Sequence, residues 1–383
     1  MAPIRVGLIG LGAVSGGMMA PGRWAYCAHF PSILKSPAYE LVALANSTVE
    51  SAQRSIDFHK LPSTVKAYGS PEDLAKDPDV DLIVVSVNVQ KHLFLTKPAL
   101  QSGKDVFVEW PLGASLEEAE ELTKLAREAG VKTVVGAQGR ASPVVSAVRK
   151  ILAEGKIGKV ISSHVFGCTS YAPIDFWIKG AEYYLEMKSG GNPFYISFGH
   201  FLDSFTHVLG DFKLDTLQSI LDTQCTTVSV LDMETGEVVN PAYTRTAPDH
   251  IIVQGRLESG AVASISFRGT KLAINDSSIQ WIISGTEGEI EITVPASSQW
   301  QVQDAQPKLR LKINKEAEVE EVDYDAELDT DHDDVAGLDR TALNIGLVYE
   351  AYRKGDTDRY PTFEDALKLH KLLHRIATVA NFI

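Results

Sequence analysis

The chain has 383 residues, 44% hydrophobic and 22% charged, which is enough for two globular domains with separate cores. A formal net charge of -14 argues against a surface for nucleic acid or anionic membrane. Cys27, Cys168 and Cys225 are far apart and form no CxxC pair, so neither a disulfide framework nor a zinc site is encoded and no metal is expected. No apolar run reaches membrane-spanning length, and residues 1–4 are too short for a signal peptide, so a cytoplasmic protein is expected.

Arg5-Val6-Gly7-Leu8-Ile9 reads as a short apolar strand that enters the turn Gly10-Leu11-Gly12-Ala13-Val14-Ser15. Gly10 would let the chain leave the strand sharply. Gly12 lacks the Cβ that would keep a pyrophosphate from the backbone amides, which a helix N-terminus presents to the anion. Ser15 stands where Gly or Ala is usual, and a glycine turn alone is a weak signal. The candidate phosphate residues are Gly10, Gly12, Ala13, Val14 and Ser15. Ser15 to Arg23 forms an enlarged loop before a helix predicted over Trp24–Leu34. Either it folds over the pyrophosphate with Arg23 as an anion partner, or it is a surface insertion.

Near-continuous apolar runs at Glu40–Ala45, Asp81–Val87, Asp105–Glu109 and Lys132–Ala137 predict strands covered on both faces, as in a parallel sheet. Between the last two, Ser115 and Glu118 form a capping box. Leu116, Ala119, Leu122, Ala126 and Ala129 lie on one stripe, and Gly130 is the stop. Strand and helix alternate as in a doubly wound α/β (Rossmann) domain over residues 1–140, and the glycine turn gains weight from that context. The second strand ends in Ala45-Asn46-Ser47-Thr48 rather than in a carboxylate. Asn46 and Ser47 can hydrogen-bond to a 2′-phosphate that a carboxylate would repel, which favours NADP over NAD. Asn88 and His92 follow the strand Asp81–Val87 and Glu109 ends the strand Asp105–Glu109; all three are candidate cofactor residues. For Glu109 a solvated or helix-paired carboxylate is the alternative.

Beyond Gly155 the pattern becomes strand-like: Val160–Phe166, Leu217–Leu231, Ile251–Leu257, Val262–Phe267, Ile279–Ile283, Ile290–Val294 and Leu309–Ile313. Hairpin turns are read at Glu234-Thr235-Gly236, Glu258-Ser259-Gly260 and Thr286-Glu287-Gly288. Residues 141–383 are therefore expected to form an α+β domain on a large, mostly antiparallel open sheet, with a helix near 362–382 packing back on the first domain. An exposed sheet face needs a cover, and a homodimer through it is expected. In the acidic run Glu316–Asp334, Asp329, Asp331 and Asp333 alternate as in a calcium loop. Asp334 and Arg340 stand where Gly and Glu are required, so a solvated loop is read instead.

Three further stretches could carry chemistry: Glu109-Trp110-Pro111, Gln138-Gly139-Arg140-Ala141-Ser142-Pro143, and Phe198-Gly199-His200-Phe201-Leu202-Asp203. With the opening turn, and with Pro248-Asp249-His250, Gln254-Gly255 and Pro361-Thr362 followed by Asp365-Ala366-Leu367, the chain resembles the Gfo/Idh/MocA oxidoreductases. It is most similar to their fungal Gal80-like branch. The resemblance spans nearly the whole chain. It implies a Rossmann domain followed by an α+β domain, a nicotinamide dinucleotide, and a small-molecule substrate oxidised or reduced at a carbonyl, alcohol or imine carbon. Alternatively it implies a Gal80-like regulator, which could be nuclear, binding the dinucleotide and a protein partner.

Catalytic members of the wider family carry Glu-Lys-Pro, and here Trp110 replaces the lysine. An indole N–H can donate a hydrogen bond but cannot exchange a proton near neutral pH. Ile196 replaces the aspartate that precedes the site histidine by four residues. The histidine is kept as His200, whose expected role is general acid/base with a pKa suited to neutral pH, the alternative being a packed interface histidine. Trp110 is read as a stacking wall for nicotinamide or substrate, the alternative being a core aromatic, and Tyr195, Arg140 and Asp203 are candidate substrate-pocket residues. Tyr183 and Tyr184 are further phenols that pack or donate, and Lys179 is a candidate replacement for the missing lysine.

Overall fold

A computed structural model describes residues 2–13, 22–169, 174–303, 305–325, 335 and 337–383. The chain divides into two compact units, Met1–Ala141 with His332–His370 and Ser142–Asp331 with Lys371–Ile383. Among the described residues, no helix is long and apolar enough to cross a membrane.

In the first unit, the described residues form a six-stranded parallel sheet of order β3-β2-β1-β4-β5-β6. Its strands are β1 (Ile4–Ile9), β2 (Tyr39–Ala45), β3 (Lys66–Tyr68), β4 (Leu82–Val85), β5 (Asp105–Val108) and β6 (Thr133–Val135). Val6, Leu8, Leu82, Val84, Val106, Val108 and Val134 are fully buried, so the apolar runs are covered on both faces as expected. The short edge strand β3 was not anticipated. It is half polar, and the Lys66 ammonium binds both Asp77 and Asp79. The helix Leu116–Ala129 has the predicted limits: Ser115 Oγ accepts from Glu118 N, and Gly130 closes it at φ 66°. The Glu118 carboxylate accepts instead from Ala114 N, and the buried stripe is Ala119, Leu122, Thr123 and Ala126, leaving Ala129 exposed.

Residues 337–370 group with this unit rather than with the second, although the expected second domain ran over 141–383. Specific bonds account for it. Tyr39 donates its hydroxyl to the Tyr349 carbonyl at 2.6 Å, and Tyr352 donates to Asp105 Oδ2 at 2.7 Å. Val135 N–H donates to Pro361 O at 2.8 Å, so the segment after helix Arg340–Lys354 extends the bonding of β6. The last helix, Phe363–Val379, has its first eight residues in this unit and the remainder in the second.

The second unit contains, among the described residues, an eight-stranded sheet of order β17-β16-β15-β14-β7-β13-β12-β9. In chain order these are β7 (Val160–Cys168), β9 (Gln218–Asp222), β12 (His250–Arg256), β13 (Val262–Arg268), β14 (Ser277–Gly285), β15 (Glu289–Pro295), β16 (Lys308–Lys312) and β17 (Glu320–Glu321). Only the β7–β13 pair is parallel. A second sheet joins β8 (Phe176–Ile178), β10 (Thr227–Leu231) and β11 (Val238–Thr244). The single strand expected over Leu217–Leu231 is thus two strands in different sheets, parted at 223–226, where Asp249 captures the Gln224 and Cys225 amides. On one face of the large sheet, helix Gly199–Leu209 sets Phe201 and Phe205 against Trp281, ring centroids 5.4 and 5.6 Å apart. On the other face Phe166, Ile220 and Val262 remain exposed.

Candidate functional site

The turn after β1 sits where the strand order reverses, between β1 and β4, the place where open α/β sheets bind ligands. Gly10 has φ 103°, and a Cβ there would fall 2.3 Å from Ser86 O and 2.7 Å from Val87 Cγ1. Glycine is therefore required, and its N–H is tied to Ala45 O at 3.1 Å. Gly22, at φ 78°, closes on the same turn: a Cβ there would lie 2.4 Å from Gly12 N. Two backbones without side chains thus meet at the switch point, the arrangement a pyrophosphate needs. Ala13 is exposed, whereas Val14 and Ser15 lie outside the described residues, as does most of the enlarged loop. Arg23, at the loop's end, holds its guanidinium 5.3 Å above the Tyr26 ring, and its Nε is buried without a partner among the described residues. Sequence reasoning passed over Ser86, whose buried hydroxyl also has no partner there.

Asn46 behaves differently from expectation. Its Nδ2 donates to Leu11 O (3.0 Å), Ser55 Oγ (3.1 Å) and Ser51 O (3.3 Å), so both N–H groups are engaged within the chain. They brace the turn against the helix Val49–Phe58 and are not available to a 2′-phosphate. The exposed Ser47 keeps a free donor position, and Thr48 caps that helix. Asn88 Oδ1 accepts from Gln90 N at 3.3 Å and caps a short turn. His92 lies fully inside, with Nδ1 2.8 Å from Pro111 O and Nε2 3.0 Å from Val87 O, so it clamps two loops and offers neither nitrogen to a ligand. Burial lowers its pKa, against the opposing pull of these carbonyls.

Glu109 also turns inward. Its Oε1 lies 2.7 Å from His29 Nε2, whose Nδ1 lies 2.8 Å from the Tyr349 hydroxyl. The carboxyl group occupies the space above Gly136, where a Cβ would fall 2.5 Å from Oε1. Trp110, preceding a cis Pro111, is 5% exposed and packs on His370, ring centroids 4.9 Å apart. Burial, with a lesser effect from His92, pushes His370 down to about 3. Arg140 Nη1 pairs with Asp365 Oδ1 at 3.3 Å. Burial raises Asp365, but the Arg140 charge and the Thr362 bonds prevail and hold it below its ordinary value. Arg140 therefore anchors the returning segment.

In the second unit His200 is 5% exposed, and its Nδ1 has no partner among the described residues. Burial alone pushes it down to about 3, so the expected near-neutral titration does not hold. Asp203 is buried and engaged by neighbours, and Tyr195 packs edge-on against Phe194 at 5.1 Å. Tyr184 shares a hydrogen bond with Ser197 Oγ at 3.0 Å, and burial raises Tyr183. Lys179, the candidate replacement lysine, is paired with Asp232 at 3.0 Å. Among the described residues, no group of three His, Cys, Asp or Glu side chains could hold a metal. The acidic Asp329–Asp334 run lies outside them.

Residues 4–137 match the family model "Oxidoreductase family, NAD-binding Rossmann fold", and residues 143–294 match "Gal80p, C-terminal domain". The galactose/lactose metabolism regulatory protein GAL80 of Saccharomyces cerevisiae is 30% identical over 76% of this chain and 67% of its own length. Dehydrogenase aclE of Aspergillus oryzae is 28% identical over 99% of this chain and 96% of its own. The crystal structure of a super-repressor mutant of Gal80p from Saccharomyces cerevisiae superposes with a TM-score of 0.84 at 25% identity, covering 99% of this chain and 96% of that one.

Proposed function

Because the chain belongs to the Gfo/Idh/MocA oxidoreductase family, in its Gal80 branch, we propose that it binds a nicotinamide dinucleotide and transfers hydride between it and a carbonyl, alcohol or imine carbon of a small molecule. The observation that carries the cofactor reading is the side-chain-free meeting of Gly10, Gly12 and Gly22 at the switch point. Gly10, Gly12, Ala13 and Arg23 would hold the pyrophosphate, and Asn46 and Ser47 the adenine ribose. With the Asn46 N–H groups engaged, its remaining oxygen is an acceptor that suits ribose hydroxyls and repels a 2′-phosphate. This favours NAD and reverses the sequence-based preference for NADP. When bound, the nicotinamide supplies or accepts a hydride. The near-full-length likeness to a dehydrogenase supports turnover.

His200 is the proposed polar group for the reaction. A neutral imidazole with a strongly lowered pKa is a poor base for oxidising an alcohol, but its N–H can stabilise an oxyanion developing from a carbonyl. The same N–H would stabilise the alkoxide-like oxygen whichever way the hydride moves, so it sets no direction. Removing His200 as His200→Ala should lower kcat at least a hundredfold and leave dinucleotide affinity intact; unchanged turnover would refute the role.

A second reading is favoured by Trp110, His92 and Glu109, which leave the end of β5 without an available proton-transfer group. In that reading the dinucleotide is a ligand and the protein is a Gal80-like regulator. Fluorescence titration with NAD and NADP, followed by turnover on a panel of carbonyls and sugars, separates the two. Tight binding without turnover, together with capture of an acidic activator peptide, would favour the regulator. In either case the exposed face of the eight-stranded sheet is proposed to pair two copies.

A further inference from the structure

The motif Pro248-Asp249-His250 has no part in the reading above, yet it organises a charged cavity inside the second unit. Asp249 accepts from Gln224 N at 2.9 Å and Cys225 N at 2.8 Å, and its Oδ1 lies 2.6 Å from His250 Nδ1. These three donors occupy the carboxylate. Arg245 Nη1 stays 3.6 Å from Oδ2, beyond hydrogen-bond length. Arg245 is 9% exposed, and its guanidinium makes no hydrogen bond among the described residues. Its charge is paired with Asp249, and none of its nitrogens is both buried and unsatisfied among the described residues, so the N–H groups that Asp249 does not reach keep access to the cavity it lines.

Arg245 lines a cavity of about 30 Å³, walled by Trp177, Tyr184, Ser197 and Phe267. Trp177 and Tyr184 are stacked, centroids 4.7 Å apart and planes 13° from parallel, and Trp177 Nε1 already donates to Ala181 O. The wall is therefore mainly apolar, with the cation at one side. The volume admits two water-sized groups, too little for a sugar ring but enough for the two oxygens of one carboxylate. A planar two-oxygen anion matches the guanidinium fork. Asp249 repels any anion there, and a dianion such as phosphate about twice as strongly as a carboxylate.

We propose that this cavity is a binding site for the head group of a small carboxylate, gripped by Arg245 while Asp249 holds the guanidinium in place. The site does not depend on dinucleotide chemistry.

The test uses the full chain with isoleucine methyls labelled with carbon-13, titrated with sodium acetate at constant ionic strength and separately with inorganic phosphate. Ile174 and Ile251 line the cavity, whereas Ile83 lies in β4 of the first unit. Acetate should shift the Ile174 and Ile251 methyls saturably and leave Ile83 unmoved. Arg245→Lys keeps the charge but loses the fork, and should weaken acetate binding about tenfold. Absence of a saturable shift at Ile174 and Ile251, an equal response to phosphate, or undiminished binding by Arg245→Lys would overturn the proposal. If Arg245→Lys does not fold, the location of the wild-type shifts and the comparison with phosphate still decide it.

Discussion

Burial without a charged partner keeps the His200 imidazole neutral, and this has a consequence for stability as well as chemistry. Its ordinary value is near 6.5 and its folded value about 3, so between those values the unfolded chain binds the extra proton. Stability is complete above pH 6.5 and falls as the solution is acidified, by about 2 kcal/mol at pH 5 for this one group. Urea unfolding of His200→Leu should show a shallower loss between pH 6.5 and 5 than the wild type; parallel curves would refute the assignment. Gly136 offers a second test. A methyl group there would collide with the Glu109 carboxyl, so Gly136→Ala should destabilise the protein by about 1–3 kcal/mol in the same measurement. An alanine tolerated at no cost would mean that Glu109 can leave its place freely.

The chain Glu109–His29–Tyr349 joins three elements: the end of β5, the helical segment after the enlarged loop, and helix Arg340–Lys354. Each member is buried, so deleting one leaves a polar neighbour without its partner. His29→Leu and Tyr349→Phe should each cost about 1–3 kcal/mol, and the double variant less than their sum, because both remove the same bond. Additive losses would show that the bond is not shared. Nothing in the sequence announced this arrangement, because His29 and Tyr349 stand 80 and 240 residues from Glu109 and have no local pattern of their own. Strands, by contrast, declare themselves through neighbours: β1, β2, β4, β5 and β6 were legible as apolar runs, and helix Leu116–Ala129 through its caps. The same reasoning misread Leu217–Leu231, where the polar stretch Asp222-Thr223-Gln224-Cys225-Thr226-Thr227 holds no Gly or Pro to mark a break and the bonding partner changes at Asp249. For the candidate site, the glycine turn was readable from residue type alone. The orientation of Asn46, Glu109 and His92 depends on acceptors supplied by other elements, and so it was not.

At the scale of the whole molecule, the exposed face of the large sheet is the feature on which the proposed pairing of two copies rests. Register places Ile220 opposite Ile252, Ile252 opposite Ser266, Ser266 opposite Phe166, and Phe166 opposite Gln280, a row crossing five strands. Phe166 is 55% and Ile220 60% exposed, whereas Val165 and Leu221, pointing to the opposite face, are buried. Ser266, the one small residue of the row, lies between Ile252 and Phe166, and the row suits contact with an identical row across a twofold axis. A charge placed in the middle of such a contact would face its own copy. Phe166→Glu should therefore convert a dimer to a monomer in light scattering while the monomer keeps its dinucleotide affinity, because the substitution lies on a solvent-facing position of the second unit. Ile220→Glu, toward the end of the same row, provides a milder version. A wild-type protein that is monomeric at micromolar concentration, or a Phe166→Glu protein that stays dimeric, would show that this face serves another purpose.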